Sequence, residues 1–268
     1  MGPIIEINHL CCKAGYRYLL HDINWKVNPG ENWVLFGMNG CGKTTLLSII
    51  SGFRAYSSGE VKLFGETFQE NNALNIRRRI GFVSNSFFDK NLSSESVLNI
   101  VLAGKFGTLG IDGDVSNKDI KQAKALLTEL RIGDKVNRSF FSLSKGERQS
   151  VMIARAFMSN PDILILDEPG TGLDVIAREY MLSTVKDLAN NTSIAIIYVT
   201  HYTEEILDVF EHCVLMGAGK FKMQGKTEEI FNETNISNLL KYPVHLDHHN
   251  GRYQVDLDIQ SHIGQLIK

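Results

Sequence analysis

Short apolar stretches separated by turn residues dominate the first part of the chain. Residues 4–36 contain three such stretches, and residues 61–64 and 80–84 add two more. Further along, residues 163–166 and 194–199 form continuous apolar runs, which are typical of strands buried on both faces. Helical patterns fill the gaps, most clearly from about residue 93 to residue 158. The pattern predicts an α/β fold with a central, mostly parallel sheet.

Two helix starts are marked by the same polar pattern. Ser116 with Asp119, and Ser144 with Glu147, have the spacing of a capping box, in which each residue hydrogen-bonds the other's backbone. After the first box, apolar residues recur on one predicted helix face: Ile120, Ala123, Leu126, Leu127 and Leu130. We therefore predict helices that begin near residues 117 and 145.

A glycine-rich segment follows the apolar run 33–36 and has the pattern G-x-x-x-x-G-K-T. Glycines let the backbone curl so that several N–H groups meet one phosphate, and the following helix turns its positive end toward the anion. A glycine-rich turn without a ligand is the alternative, but a strand before and a helix after favour phosphate binding. The predicted nucleotide-binding residues here are Gly37, Met38, Asn39, Gly40, Cys41, Gly42, Lys43, Thr44 and Thr45.

Two acids end the buried run 163–166, at the edge of the sheet where such folds bind ligands. Asp167 suits a Mg²⁺ shell together with the Thr44 hydroxyl, since Mg²⁺ prefers oxygen ligands. Glu168 is placed to polarise a water molecule for attack on a γ-phosphate, while Lys43 carries positive charge to the phosphates. Together with the glycine-rich loop, these acids indicate a nucleoside triphosphatase that uses Mg²⁺.

The segment 143–149, Leu-Ser-Lys-Gly-Glu-Arg-Gln, resembles the signature motif of ATP-binding cassette (ABC) proteins, usually written LSGGQ. The resemblance covers about residues 4–235 and implies a P-loop ABC fold with an antiparallel β subdomain and a helical signature subdomain. It also implies that Ser144 and Gly146 bind the γ-phosphate of ATP held by a second cassette. Lys145 and Glu147 depart from the usual motif, which bears on the strength of that contact.

Other elements of the same family follow in order. The resemblance implies a loop at residues 172–174 that touches the partner, and a switch histidine, His201, that bonds the γ-phosphate. Tyr16 and Tyr18 are both candidates for stacking on adenine, and we assign Tyr16 to the ATP site. Asn85 stands where the family usually has a glutamine that reaches the metal.

The family resemblance also implies partners. Two cassettes, most simply two copies of this chain, face head to tail around two ATP molecules, and a separate transmembrane permease docks near Asn85. Residues 97–110 resemble metal-chelate, cobalamin and molybdate uptake ATPases, and residues 200–206 resemble a soluble molybdate-related subgroup. We expect an ATPase that energises import; the alternative is a soluble ABC ATPase acting in translation, repair or regulation.

Bulk composition agrees with a peripheral ATPase on the cytoplasmic face of the cell membrane. The formal net charge of −2 gives no general attraction to nucleic acid. The four cysteines lack zinc-site spacing, which favours a reducing compartment. No apolar run approaches the ~18 residues of a membrane span, and the first residues lack the pattern of a secretory signal.

The predicted boundaries are a nucleotide-binding domain over residues 1–235, with its helical subdomain at about 86–160, and an appendage over residues 236–268. Within the appendage, Asn250 and Gly251 separate two strand-like stretches, which is a strong hairpin signal. A hairpin with exposed polar residues is favoured over a metal site, for which the candidate ligands are His245, Asp247, His248 and His249.

Overall fold

A computed structural model describes residues 2–84 and 95–257 of the 268-residue chain. A four-stranded antiparallel sheet in the order β2-β1-β4-β5 forms one layer. Its strands are β1 (Ile5–Ala14), β2 (Arg17–Val27), β4 (Ser58–Leu63) and β5 (Glu66–Thr67). Register shifts interrupt the β1–β2 pairing near residues 7–13, and these irregularities bend the sheet. The antiparallel β subdomain expected from the sequence is present.

A six-stranded sheet in the order β10-β9-β3-β8-β7-β6 forms the centre of the molecule. Its strands are β3 (Asn32–Phe36), β6 (Ile80–Ser84), β7 (Ile163–Asp167), β8 (Ala195–Thr200), β9 (His212–Gly217) and β10 (Lys220–Lys226). Every pairing is parallel except that of the edge strand β10 with β9. Every residue of β6, β7 and β8 is buried, as expected for apolar runs covered on both faces.

Eight α-helices surround the sheets within the described part of the chain. They are α1 (Lys43–Ile50), α2 (Ala73–Arg79), α3 (Val97–Ala103), α4 (Asn117–Glu129), α5 (Lys145–Phe157), α6 (Val175–Asn191), α7 (Thr227–Ile230) and α8 (Glu233–Leu240). Helices α3, α4 and α5 pack on one another, and both predicted capping boxes open α4 and α5. No helix in residues 2–84 and 95–257 is long and apolar enough to cross a membrane.

The predicted hairpin is confirmed as β11 (Val244–His249) and β12 (Arg252–Leu257), joined at Asn250 and Gly251. Arg252 fastens it to α6 through two bonds of 2.7 Å to the Glu179 carboxylate. The Tyr253 ring packs 4.7 Å from Phe231. Among the described residues no group of three or more His, Cys, Asp or Glu side chains is arranged to hold a metal ion.

Candidate functional site

The glycine-rich loop links β3 to α1, as its sequence requires. Gly42, the N-cap of α1, has φ of 111°, a backbone conformation open to glycine but strained for other residues. A side chain at Gly42 would also collide with the Leu19 carbonyl, 2.9 Å from the Cβ position. Because no side chain caps α1, its first N–H groups are not bonded by a cap and can serve an anion.

Lys43 is the charged centre of this loop. It is 4% exposed, and its Nζ donates to the Gly37 carbonyl at 2.6 Å and to the Met38 carbonyl at 3.3 Å. The same nitrogen lies 3.0 Å from Glu168 Oε1. The loop therefore holds its cation in a fixed position beside Glu168, the acid that follows β7.

Glu168 has an unusual backbone conformation, with φ of 49° in the left-handed region. Its N–H donates to the Val199 carbonyl at 2.9 Å, which ties this turn to β8. Its Oε1 also lies 3.3 Å from Nδ1 of His201, although the two atoms lack hydrogen-bond geometry. The structure thus brings Lys43, Glu168 and His201 together around one carboxylate.

Asp167 Oδ2 accepts a 2.9 Å hydrogen bond from Ser84, its register partner on the adjacent strand β6. Oδ1 is buried and has no hydrogen-bond partner among the described residues. Burial raises the pKa of Asp167 to about 6, and the hydroxyls of Ser84 and Thr44 oppose that rise. An unpaired carboxylate oxygen beside the Thr44 hydroxyl is a hard-oxygen donor set that fits Mg²⁺.

These residues open onto a cavity of about 700 Å³. Eight residues predicted from the sequence line it: Asn39, Gly40, Gly42, Lys43, Thr44, Thr45, Asp167 and Glu168. The lining also includes Tyr18, one of the two candidate tyrosines, and seven residues that the sequence did not single out for the site: Arg17, Leu19, Lys145, Arg148, Thr171, Ala218 and Gly219. Gly37, Met38 and Cys41 belong to the loop but lie outside this lining set, and the Cys41 thiol is buried, which raises its pKa.

The two candidate tyrosines occupy different positions. Tyr18 lines the cavity, with its ring 4.7 Å from His21 and with the Lys13 ammonium 4.5 Å from its centre. Tyr16 is fully exposed at the turn between β1 and β2 and is not in the lining set of described residues. The geometry favours Tyr18 for contact with a base, while the assignment of Tyr16 stays a prediction.

Ser144 caps α5 in the predicted box. Its Oγ accepts from the Glu147 N–H at 3.3 Å, and its own N–H donates to Glu147 Oε2 at 2.8 Å. An ion pair with Lys135 and the bonds to Ser144 lower the pKa of Glu147. Among the described residues, Ser144 and Gly146 do not line the Lys43 cavity; they line a second one of about 710 Å³ beside residues 173–177.

Lys145 departs from its two neighbours in the signature segment. Its side chain turns to the Lys43 cavity and packs over Gly172, where a Cβ would lie 3.2 Å from Lys145 Cδ. Gly172 has φ of 75°, so the close contact and the backbone conformation both favour glycine there. Asn85 lies outside the described residues, so its predicted role at the metal has no structural counterpart here.

A family model described as "ABC transporter" matches residues 20–171. Over 245 residues the chain is 37% identical to YlmA, an uncharacterized ABC transporter ATP-binding protein of Bacillus subtilis (strain 168), covering 91% of this chain and 93% of YlmA. It is 29% identical to the molybdate import ATP-binding protein MolC of Haemophilus influenzae, covering 85% and 84% of the two chains.

The fold has a close counterpart among solved structures. A chain from a metal-chelate type ABC transporter, solved in an inward-facing conformation, superposes with a TM-score of 0.76 at 25% identity. The match covers 97% of this chain and 98% of the other. The expected resemblance to metal-chelate and molybdate-type ATPases is therefore confirmed.

Proposed function

The chain belongs to the ABC transporter family of ATP-hydrolysing proteins, and on that premise we propose that it energises import across a membrane. The observation that carries the proposal is the convergence of Lys43 and His201 on Glu168. Its carboxylate lies 3.0 Å from the Lys43 ammonium and 3.3 Å from the His201 ring. These three side chains lie together, and we propose that they act as the cation for phosphate, the base for water and the histidine that contacts the γ-phosphate.

In this proposal each group has one task in hydrolysis. The loop N–H groups and Lys43 hold the phosphates, and Glu168 accepts a proton from the attacking water. His201 hydrogen-bonds the γ-phosphate and keeps it in line with Glu168. Thr44 and Asp167 would hold Mg²⁺, which when bound neutralises charge on the phosphates.

A second copy of the chain completes the site. Among the described residues, Ser144 and Gly146 do not line the Lys43 cavity but a second one. The phosphate-binding role proposed for them therefore requires another cassette. A head-to-tail homodimer places each signature segment over the partner's ATP. ATP then joins the two copies, and hydrolysis separates them.

Import is proposed because of the proteins that this chain resembles. MolC is named for molybdate import, and the superposed structure is of metal-chelate type. We propose that residues 1–235 form the cassette, that Asn85 contributes to the metal and permease contacts, and that residues 236–268 are an appendage. The assembly would lie at the inner membrane face through a separate transmembrane permease.

The test is to purify the tagged chain from detergent-solubilised membranes and to reconstitute what accompanies it into liposomes. We expect a stoichiometric multi-span protein that stimulates ATP hydrolysis, with stimulation lost in Glu168→Gln. Recovery with ribosomes or with soluble partners alone, and no stimulation by any membrane protein, would overturn import in favour of a soluble role.

A further inference from the structure

Glu205 is a buried carboxylate close to the catalytic groups. It ends a short 3₁₀ turn, Thr203–Glu205, and is 1% exposed. Its Oε2 accepts hydrogen bonds from the Tyr198 hydroxyl at 3.0 Å and from the Thr200 hydroxyl at 2.6 Å. Burying a carboxylate is costly, so the contacts of this side chain point to a task that an apolar residue would not perform.

The other carboxylate oxygen faces the turn that follows Glu168. An added Cβ at Gly170 would overlap Glu205 Oε1 and lie 2.9 Å from its Cδ. Gly170 lies outside the left-handed region, so the need for glycine there is steric rather than conformational. Oε1 has no hydrogen-bond partner in the described part of the chain and packs directly on this backbone.

Glu205 contacts two chain segments, one of which carries Glu168 and the other His201. On one side, Glu168 has φ of 49°, a sparsely populated conformation that persists only where its surroundings fix it. On the other side, Thr200 precedes His201 and accepts the Tyr202 N–H at 3.0 Å. A single side chain thus braces the turn of the base and the backbone that flanks the histidine.

We propose that Glu205 is a positioning residue, which sets the spacing between the Glu168 turn and His201 by bonding Thr200 and packing against Gly170. The inference rests on the proposed roles of Glu168 and His201. Because Glu205 does not line the cavity among the described residues, it acts on hydrolysis only through these neighbours.

The first test compares three variants by steady-state kinetics. Glu205→Ala should lower kcat by about 10- to 100-fold, the scale of a misplaced catalytic group, with KM for ATP within about 3-fold of wild type. Glu205→Gln keeps an acceptor for both hydroxyls and should retain more activity than Glu205→Ala. The matched control is Glu204→Gln, which should keep wild-type kcat. The side chain of Glu204 is half-exposed, and its Oε1 lies 3.6 Å from Arg178.

The second test is a double-mutant cycle between Gly170 and Glu205. Gly170→Ala should lower kcat because its methyl meets the carboxylate. In Gly170→Ala/Glu205→Ala the methyl takes the space that the carboxylate leaves, so kcat should be higher than in Gly170→Ala alone. Each kcat is taken per bound fluorescent ATP analogue, which removes unfolded protein from the comparison.

Wild-type kcat in Glu205→Ala, or effects of the two substitutions that simply multiply, would overturn the positioning role. A loss in Glu205→Ala that appears entirely in ATP binding would do the same. Failure of the catalytic assignment itself has another signature, which is that Glu168→Gln hydrolyses ATP at the wild-type rate.

Discussion

The ammonium of Lys43 lies 3.0 Å from the carboxylate of Glu168. Lys43 is 4% exposed and is also fixed by the Gly37 carbonyl at 2.6 Å. The proposed phosphate-binding cation and the proposed base therefore lie within each other's electrostatic field. Removing the charge of Lys43 or of Glu168 changes the electrostatic field at the other residue. Substitutions at these two residues should therefore have opposite effects on ATP binding.

Glu168→Gln should keep or strengthen ATP binding and lower kcat by about 10²- to 10⁴-fold, the usual contribution of general-base catalysis. The amide cannot accept the proton of water, while Lys43 loses its counter-charge and can bind phosphate more fully. ATPase assays with titration calorimetry check both parts, and size-exclusion chromatography should show an ATP-dependent dimer. Wild-type turnover would refute the assignment of the base.

Lys43→Ala should weaken ATP binding by about 10- to 100-fold, because bonds to a charged donor contribute about 1.5–3 kcal/mol. The carbonyls of Gly37 and Met38 also lose their donor, so the loop itself loosens. Titration calorimetry measures the change. Lys62→Ala is the control, since the Lys62 ammonium forms a half-buried pair with Glu60 at 3.1 Å on β4. Equal affinities in both variants would contradict the role of Lys43.

Four strands of the central sheet, β3, β6, β7 and β8, were predictable because each is a short apolar run, whereas β9 and β10 were not predicted. Residues 163–166 and 194–199 became β7 and β8, and the carboxyl end of β7 delivered Asp167 and Glu168 to the cavity as expected. Both capping boxes and the Asn250–Gly251 turn were also predictable. The capping boxes and the turn are local signals, in which the residues that interact are four or fewer positions apart.

What sequence reasoning missed depends on contacts between distant parts of the chain. Ser84 bonds Asp167 across 83 positions, because the parallel register of β6 and β7 makes them neighbours. Lys145 reaches the Lys43 cavity because of where α5 packs, and no local pattern encodes that. The choice between Tyr16 and Tyr18 likewise depends on the bend of an irregular hairpin.

Comparing the single variants Ser144→Ala and Ser116→Ala separates the role of Ser144 in helix capping from its proposed role in nucleotide binding. Both serines close a capping box with similar bonds, 3.3 Å in one and 3.2 Å in the other. Each alanine should therefore cost about 1 kcal/mol of unfolding free energy, measured by urea titration.

Only the substitutions at Ser144 should affect the dimer. Ser144→Arg should leave monomeric ATP binding intact and abolish both dimerisation and hydrolysis, because a bulky cation would occupy the partner's phosphate position. Equal ATPase per folded molecule in the Ser116 and Ser144 variants would reduce Ser144 to a helix cap.

Glu205 provides a test in stability that is independent of kinetics. Burial raises its pKa above the ordinary value of 4.5, while the hydroxyls of Thr200 and Tyr198 and the charge of Arg178 oppose the rise, and Glu204 adds to it. Between 4.5 and the raised pKa, the folded protein binds more protons than the unfolded chain at this residue. The contribution of Glu205 to the unfolding free energy therefore falls as pH rises through that window, and stays low above it.

Glu205→Gln has no such titration, so the difference in unfolding free energy between this variant and wild type should move in favour of the variant as pH rises from 4.5. Asp167, whose pKa burial raises to about 6, titrates in both proteins and cancels from the difference. Urea unfolding at a series of pH values from 4 to 8 measures it. A difference that is constant with pH would show that the carboxylate is not held in an unfavourable charged form. A variant that gains relative stability while its kcat falls would show that the fold retains this charge for catalysis rather than for stability.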